Sequence, residues 1–136
     1  MTTAVRDLAD PVWALIDAIS NVDTFDAEDP TPTLDPDGTV HAYAVYYPGP
    51  GWAHALLACG GTDSLDWTFQ VTCAGGDRTR ALWCVDKVRA AVSGKTVAVG
   101  GQQLQIREVG DPGPLRRDDD VQPPRFYTPL LFAVNA

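Results

Sequence analysis

Residues 67–92 read WTFQVTCAGGDRTRALWCVDKVRAAV, and the hydrophobic period changes part way along them. Trp67, Phe69, Val71 and Cys73 alternate with Thr68, Gln70 and Thr72, the period of two that gives a strand one buried face. After Gly75 and Gly76 the period lengthens. Ala81, Val85, Val88 and Val92 fall on one side of a helix, with Asp77 placed to cap its start and Gly94 to end it. A half-buried strand feeding an amphipathic helix through a Gly turn is a scaffold element, and it holds no obvious reactive group.

Upstream, Val5, Leu8, Val12, Leu15, Ile16 and Ile19 keep helical spacing around Pro11. Either Asp10 caps a short helix with Pro11 as its first residue, or a longer helix starts near Thr3 and bends at the proline; the register of Val5 and Leu8 favours the longer one. Asn21 to Gly38 has little periodicity, three prolines and several acids, and reads as a loop. Val40 to Tyr47 is apolar on both faces, a covered strand, and Pro48-Gly49-Pro50-Gly51 is expected to turn it into a hairpin with Trp52 to Cys59.

Gly60 to Asp66 reads as a polar connection into the Trp67 strand. Beyond the second helix, Thr96–Val99 and Gln102–Val109 form an expected hairpin across Gly100-Gly101, with Leu104 and Ile106 inward. Gly110 to Pro124 is a long exposed loop. Arg125 to Val134 closes the chain as a strand whose Pro129 requires a bulge or an edge. The order helix, three strands, helix, three strands predicts a single α+β domain over residues 1–136. Its mostly antiparallel sheet has both helices packed on one face and long loops projecting from it.

At 136 residues, 45% of them hydrophobic, the chain has material for one modest core. The 18 acids against 10 bases give a formal charge of -8 and argue against a general phosphate-binding surface. The N-terminus has no basic region followed by an uninterrupted apolar core, and no window approaches the ~20 apolar residues of a membrane span, so the chain is expected to stay in the cytosol that makes it. Cys59, Cys73 and Cys84 are odd in number without a close pair, which fits reduced, structural thiols.

No metal, cofactor or catalytic centre is expected. His41 and His54 are the only histidines and have no cysteine at ligand spacing. Asp35-x-Asp37 departs from a calcium loop in its glycine position and lacks a closing Glu, Gly49-x-Gly51 lacks the rest of a dinucleotide fingerprint, and no nucleophile elbow, phosphate loop or H-E-x-x-H occurs. Asp118, Asp119 and Asp120 follow Arg116 and Arg117, which supply counter-charge; the run is a solvated loop or an assembly contact. Trp83 projects opposite Ala81, Val85 and Val88, so it packs sideways on the N-terminal helix or anchors another subunit. Trp52, beside the P-G-P-G segment, is an interface residue or a lid on the sheet. Trp52, Trp83, Arg116, Arg117 and Asp118 to Asp120 are the candidate assembly interface.

The strand W-x-F-Q-V-x-C-x-G, the following A-L-W-x-x-D-x-V-R-x-A, the Y-Y-P-G-P-G strand end and the closing R-F-Y-x-P-L-L-F-x-V, with an apolar N-terminal helix and an acidic Pro-rich loop before them, resemble the tail terminator (tail completion) proteins of long-tailed bacteriophages. The resemblance covers most of the chain. It implies a non-catalytic structural protein that caps the finished tail tube as a ring, usually of six subunits. Its partners would be further copies of itself, the tail tube protein and the head connector protein. DNA would pass through the lumen without specific binding, and the protein would reside in the virion at the head–tail junction after assembly in the host cytoplasm. The alternatives are another head–tail joining or tail assembly protein, or a small cytosolic enzyme or binding domain whose site is assembled from scattered polar residues.

Overall fold

One long strand, β4 (Thr62–Gly75), organises the molecule. The structure, a computed structural model, describes residues 4–55 and 62–135; the side chains of residues 52–55, 62–65 and 135 fall outside the description, as do His54's ring, Cys59 and the indole of Trp52. The remaining elements are α1 (Val5–Asp17), β1 (Asp23–Asp26), β2 (Tyr43–Pro48), β3 (Trp52–Ala55), α2 (Arg78–Val92), β5 (Thr96–Val99), β6 (Gln102–Gln105), β7 (Arg107–Glu108), β8 (Arg116–Asp118) and β9 (Arg125–Asn135). The main sheet runs β1-β2-β4-β9-β7, with β3 also on β4 and β8 also on β9, while β5 and β6 pair apart. Every pairing but the parallel β1–β2 is antiparallel. This is the α+β architecture expected from the sequence, with helices on one face.

The core follows the alternation of the strands. Ala44, Tyr46, Trp67, Phe69, Val71, Cys73, Leu130, Phe132 and Val134 share the helix-facing side with Leu8, Val12 and Ile16 of α1 and Cys84, Val85, Val88 and Val92 of α2. Phe69 sits at its centre, stacked on Phe132 at 5.2 Å and beside Trp67 and Tyr46 at 5.0 and 5.6 Å. Helix α1 continues through Pro11, so the longer reading holds. Asp77 caps α2 by accepting from the Arg80 amide at 2.8 Å, and Gly94 follows the helix at φ +75°. Gly75 and Gly76 have a steric cause: a Cβ on Gly76 would overlap Thr39 and the Val40 backbone, and one on Gly75 would overlap Arg80 and Ala81.

Four expectations are corrected. First, β2 and β3 do not form a hairpin. Pro48 lies opposite Phe69 and Trp52 opposite Asp66, so both strands run the same way along one edge of β4. The P-G-P-G segment interrupts this edge without reversing it. Pro48 and Pro50 bring no amide donors to it, and the Trp67 indole donates to the Gly49 carbonyl at 2.7 Å. Residues 62–66 accordingly belong to β4, not to a connection.

Second, the acidic loop contains a strand: β1 pairs with β2 in register Asp23↔Tyr43 to Asp26↔Tyr46. Third, the expected strand over 102–109 breaks at Ile106, whose fully buried side chain sends β6 to β5 and β7 to β9. Fourth, the loop over 110–124 is partly strand, because β8 pairs with Arg125–Tyr127. Pro129 lies between the β7 and β8 ladders, a local edge, in unbroken register with Thr72 of β4.

Candidate functional site

The sequence-derived residues do not converge on one place. Arg116 and Arg117 stand exposed on β8 opposite Tyr127 and Phe126, and Arg117 reaches over the Phe126 ring at 5.7 Å while its Nε donates to Asp119 at 2.6 Å. Asp118 accepts from the Asp120 amide at 3.0 Å, a local turn contact. Trp83 is 37% exposed on α2, where it lines a pocket of about 300 Å³ with Asp35, His41, Ala42, Thr79 and Arg80; Lys87 Nζ lies 5.3 Å above its ring, and it is absent from the apolar residues packed on the core. Trp52 opens β3 opposite Asp66; its side chain lies outside the described residues.

Two surfaces were missed by sequence reasoning. The first is the sheet face turned away from the helices. Rows Tyr43–Ala74–Tyr127, Val45–Thr72–Pro129 and Tyr47–Gln70–Leu131 cross β2, β4 and β9. Phe25 and Tyr127 pack against Tyr43, Val45 and Ala74, which are buried. Tyr47 and Leu131 remain 42% exposed each. A groove of about 190 Å³ runs here, lined by Pro30, Tyr43, Val45, Tyr47, Thr72, Asp118, Arg125 and Tyr127. Arg125 is fixed in it by donating to the Tyr43 hydroxyl at 3.2 Å and the Pro123 carbonyl at 3.3 Å.

The second is a polar clasp around Arg80. Its guanidinium donates to Asp35 at 2.6 Å, to Asp37 at 3.3 Å and to Asp77. His41 bridges Asp35, 2.9 Å from Nδ1, and the Asn21 carbonyl, 2.6 Å from Nε2. The Arg80 guanidinium holds the Asp35 carboxyl below its ordinary range, with His41 adding to the effect; hydrogen bonds from Thr39 do the same for Asp37. The clasp ties the 33–41 turn and Asn21, in the segment that follows α1, to the start of α2. Every polar group in it has a partner, so it reads as structural fastening. The Asp35-Pro36-Asp37-Gly38 turn and the Asp77 cap were both visible in sequence, but their meeting at Arg80 is a tertiary fact.

The thiols are equally structural. Cys84 donates to the Tyr43 carbonyl at 3.2 Å, and the hydrogen bond between Cys73 and Cys84, reinforced by burial, pushes the Cys73 pKa well up. Tyr46 also titrates above its usual range, chiefly through burial, and its hydroxyl donates to the Ala9 carbonyl at 3.1 Å. Among the described residues no group of three His, Cys, Asp or Glu side chains is placed to hold a metal ion. Nor, among the described residues, is any helix long and apolar enough to cross a membrane.

No family model matches the chain, and no curated protein does. A solved chain whose name states no function is 17% identical over 93% of this chain and 94% of its own length, with a TM-score of 0.43, too distant a likeness to assign a family.

Proposed function

We propose that this chain is a structural phage assembly protein that caps the completed tail tube as a ring and forms the junction with the head connector. The observation that carries the reading is the resemblance of its motifs to tail terminators. Those motifs fall on β2, β4, β9 and α2, the elements that make the sheet and its helix layer. The surfaces of the protein suit this work: an open sheet face with exposed Tyr47 and Leu131, and a helix carrying Leu82 and Trp83 at 46% and 37% exposure, offer apolar area to other proteins.

The work itself is geometric. Subunits related by rotation close through a heterologous contact, leaving one rim for the tube and the other for the connector. Purified chain added to extracts of a terminator-deficient phage should restore joined, infectious particles, with immunogold label at the head-proximal end of the tail tube. Label on isolated heads and not on tails would move the chain to the head–tail joining class. Failure to label either would overturn the reading.

A further inference from the structure

The ring of His41 stands between two oxygens. Its backbone amide donates to the Thr33 carbonyl at 2.9 Å, and the ring reaches from the 33–41 turn to the segment that follows α1. Nδ1 lies 2.9 Å from Asp35 Oδ1, and Nε2 lies 2.6 Å from the Asn21 carbonyl. A carbonyl oxygen can only accept. Asp35 is held to accepting as well, because Arg80 Nε donates to its other oxygen at 2.6 Å and keeps the carboxyl ionised. Both ring nitrogens must therefore donate. A neutral imidazole carries one N–H, so this pair of contacts belongs to the imidazolium. Flipping the ring offers no escape, since it would set C–H groups against both oxygens, closer than carbon and oxygen normally approach.

The charges around the ring come from three sides. Within the clasp, Arg80 faces Asp35, Asp37 and Asp77. On the α1 side, Asp23 is occupied by the Thr33 amide and hydroxyl, and Asp17 by the Thr24 hydroxyl at 3.3 Å. Toward the pocket the neighbours are Ala42, Thr79 and Trp83, all uncharged. Asp35 and Asp37 are held below the ordinary carboxyl range and Arg80 above the ordinary guanidinium value, so these three keep their charges through neutrality. His41 is the member of the clasp whose charge changes there.

We infer that His41 is a pH-sensitive latch: its imidazolium fastens the Asn21 end of the α1–β1 connection to the 33–41 turn, and loss of its proton releases that end. On deprotonation the remaining N–H stays with the carboxylate, the stronger acceptor, and the Nε2 lone pair is left facing the Asn21 carbonyl. Two lone pairs repel at 2.6 Å, so the carbonyl turns to water. Asn21 is followed by the buried Val22 and by Asp23, whose amide donates to the Ala42 carbonyl at 3.1 Å, so the release loosens the entry to β1. The charged ring makes two bonds and the neutral ring one. The fastening is therefore full at low pH and is lost as pH rises through the histidine range, about pH 5 to 8. This device lies beyond the assembly reading and does not depend on it.

Two measurements test it, in a His54→Gln background that leaves His41 as the one imidazole. Long-range proton–nitrogen NMR spectra should show both ring nitrogens protonated at the acid end of the range and should show Nε2, not Nδ1, losing its proton as pH rises. Hydrogen exchange of the Asp23 amide, normalised to its intrinsic rate at each pH, should lose protection by roughly three- to tenfold over the same range, the scale of one partly exposed, charge-assisted hydrogen bond. His41→Phe keeps a ring without donors; its Asp23 amide should sit at the released level at every pH.

Protection that stays flat in the parent protein, the same step in His41→Phe, or a proton lost first from Nδ1 would each overturn the latch. Should His41→Phe fail to fold, the ring spectra of the parent protein decide alone. None of these results bears on tail capping, which the complementation experiment judges separately.

Discussion

Leu131 and Phe132 are neighbours in sequence on opposite faces of β9, so truncating each to Ala measures the two sides of the sheet separately. Phe132 is fully buried, lies opposite Phe69 and stacks on it at 5.2 Å. Its loss removes a large side chain from the centre of the core and leaves a cavity, a change that costs ~3–5 kcal/mol. For a domain of this size each kcal/mol moves the melting temperature by about 3–5 °C, so Phe132→Ala should melt ~10–20 °C lower. Leu131 lies opposite Gln70 and is 42% exposed, so roughly half of a full Leu burial is at stake and no closed cavity forms. Leu131→Ala should cost about 1 kcal/mol. Urea denaturation at equilibrium is the assay, with unchanged m-values as the check that both variants unfold from the same state. Equal costs at the two positions, or a Phe132→Ala cost under about 1.5 kcal/mol, would refute the assigned register and with it the open face.

Three further outcomes are expected. In a Cys59→Ser background neither Cys73 nor Cys84 should react with a thiol reagent at about pH 8 until the protein is denatured, since burial and their mutual hydrogen bond hold Cys73 protonated; rapid labelling of the folded protein would contradict this. Asp35 and Asp37 have folded pKa values below 3.8, so the stability they contribute is full above that value and is lost as pH falls through the folded values; the gap in unfolding free energy between wild type and Asp35→Asn should therefore shrink in strong acid, and a gap that widens there would reverse the sign. Replacing Arg116, Arg117 and Asp118 to Asp120 with Ser should change stability by less than ~1 kcal/mol while particle assembly fails in complementation; normal melting with normal yield of infectious particles would make this segment plain solvated surface.

The parts of the fold legible in sequence are those in which one element carries its own signal. The α1 stripe in register across Pro11, the Trp67 alternation and the Asp77-capped helix each settle locally, and all appear as read. What was missed depends on partners distant in sequence. DTFD at 23–26 is too short and polar to announce a strand; it becomes one because Phe25 meets Val45 on the outer face of the sheet. RRD at 116–118 becomes a strand because β9 has a free side there. The P-G-P-G segment misled for a different reason. Gly and Pro mark a departure from regular structure, and whether that departure reverses the chain depends on what lies alongside, here the Trp67 indole and the Thr68 carbonyl that receives the Gly49 amide at 3.1 Å. The apolar run at 40–47 was rightly read as covered for Tyr43 and Val45, while its last aromatic, Tyr47, escapes that cover.

The acidic composition also divides into two kinds of charge once the fold is known. Within the acidic loop, Asp23 holds the Thr33 amide and hydroxyl at 2.9 Å each, and Asp35 and Asp37 are fastened to Arg80. These acids shape the chain: their partners fix the 33–41 turn against the head of α2, and the loop can then carry β1 alongside β2. Glu28 and Asp29 do no such fastening. They stand exposed at the bend before Pro30. A loop whose acids were all required for folding would be expected to bind each of them. This loop binds acids at both its ends and leaves those at its tip in solvent.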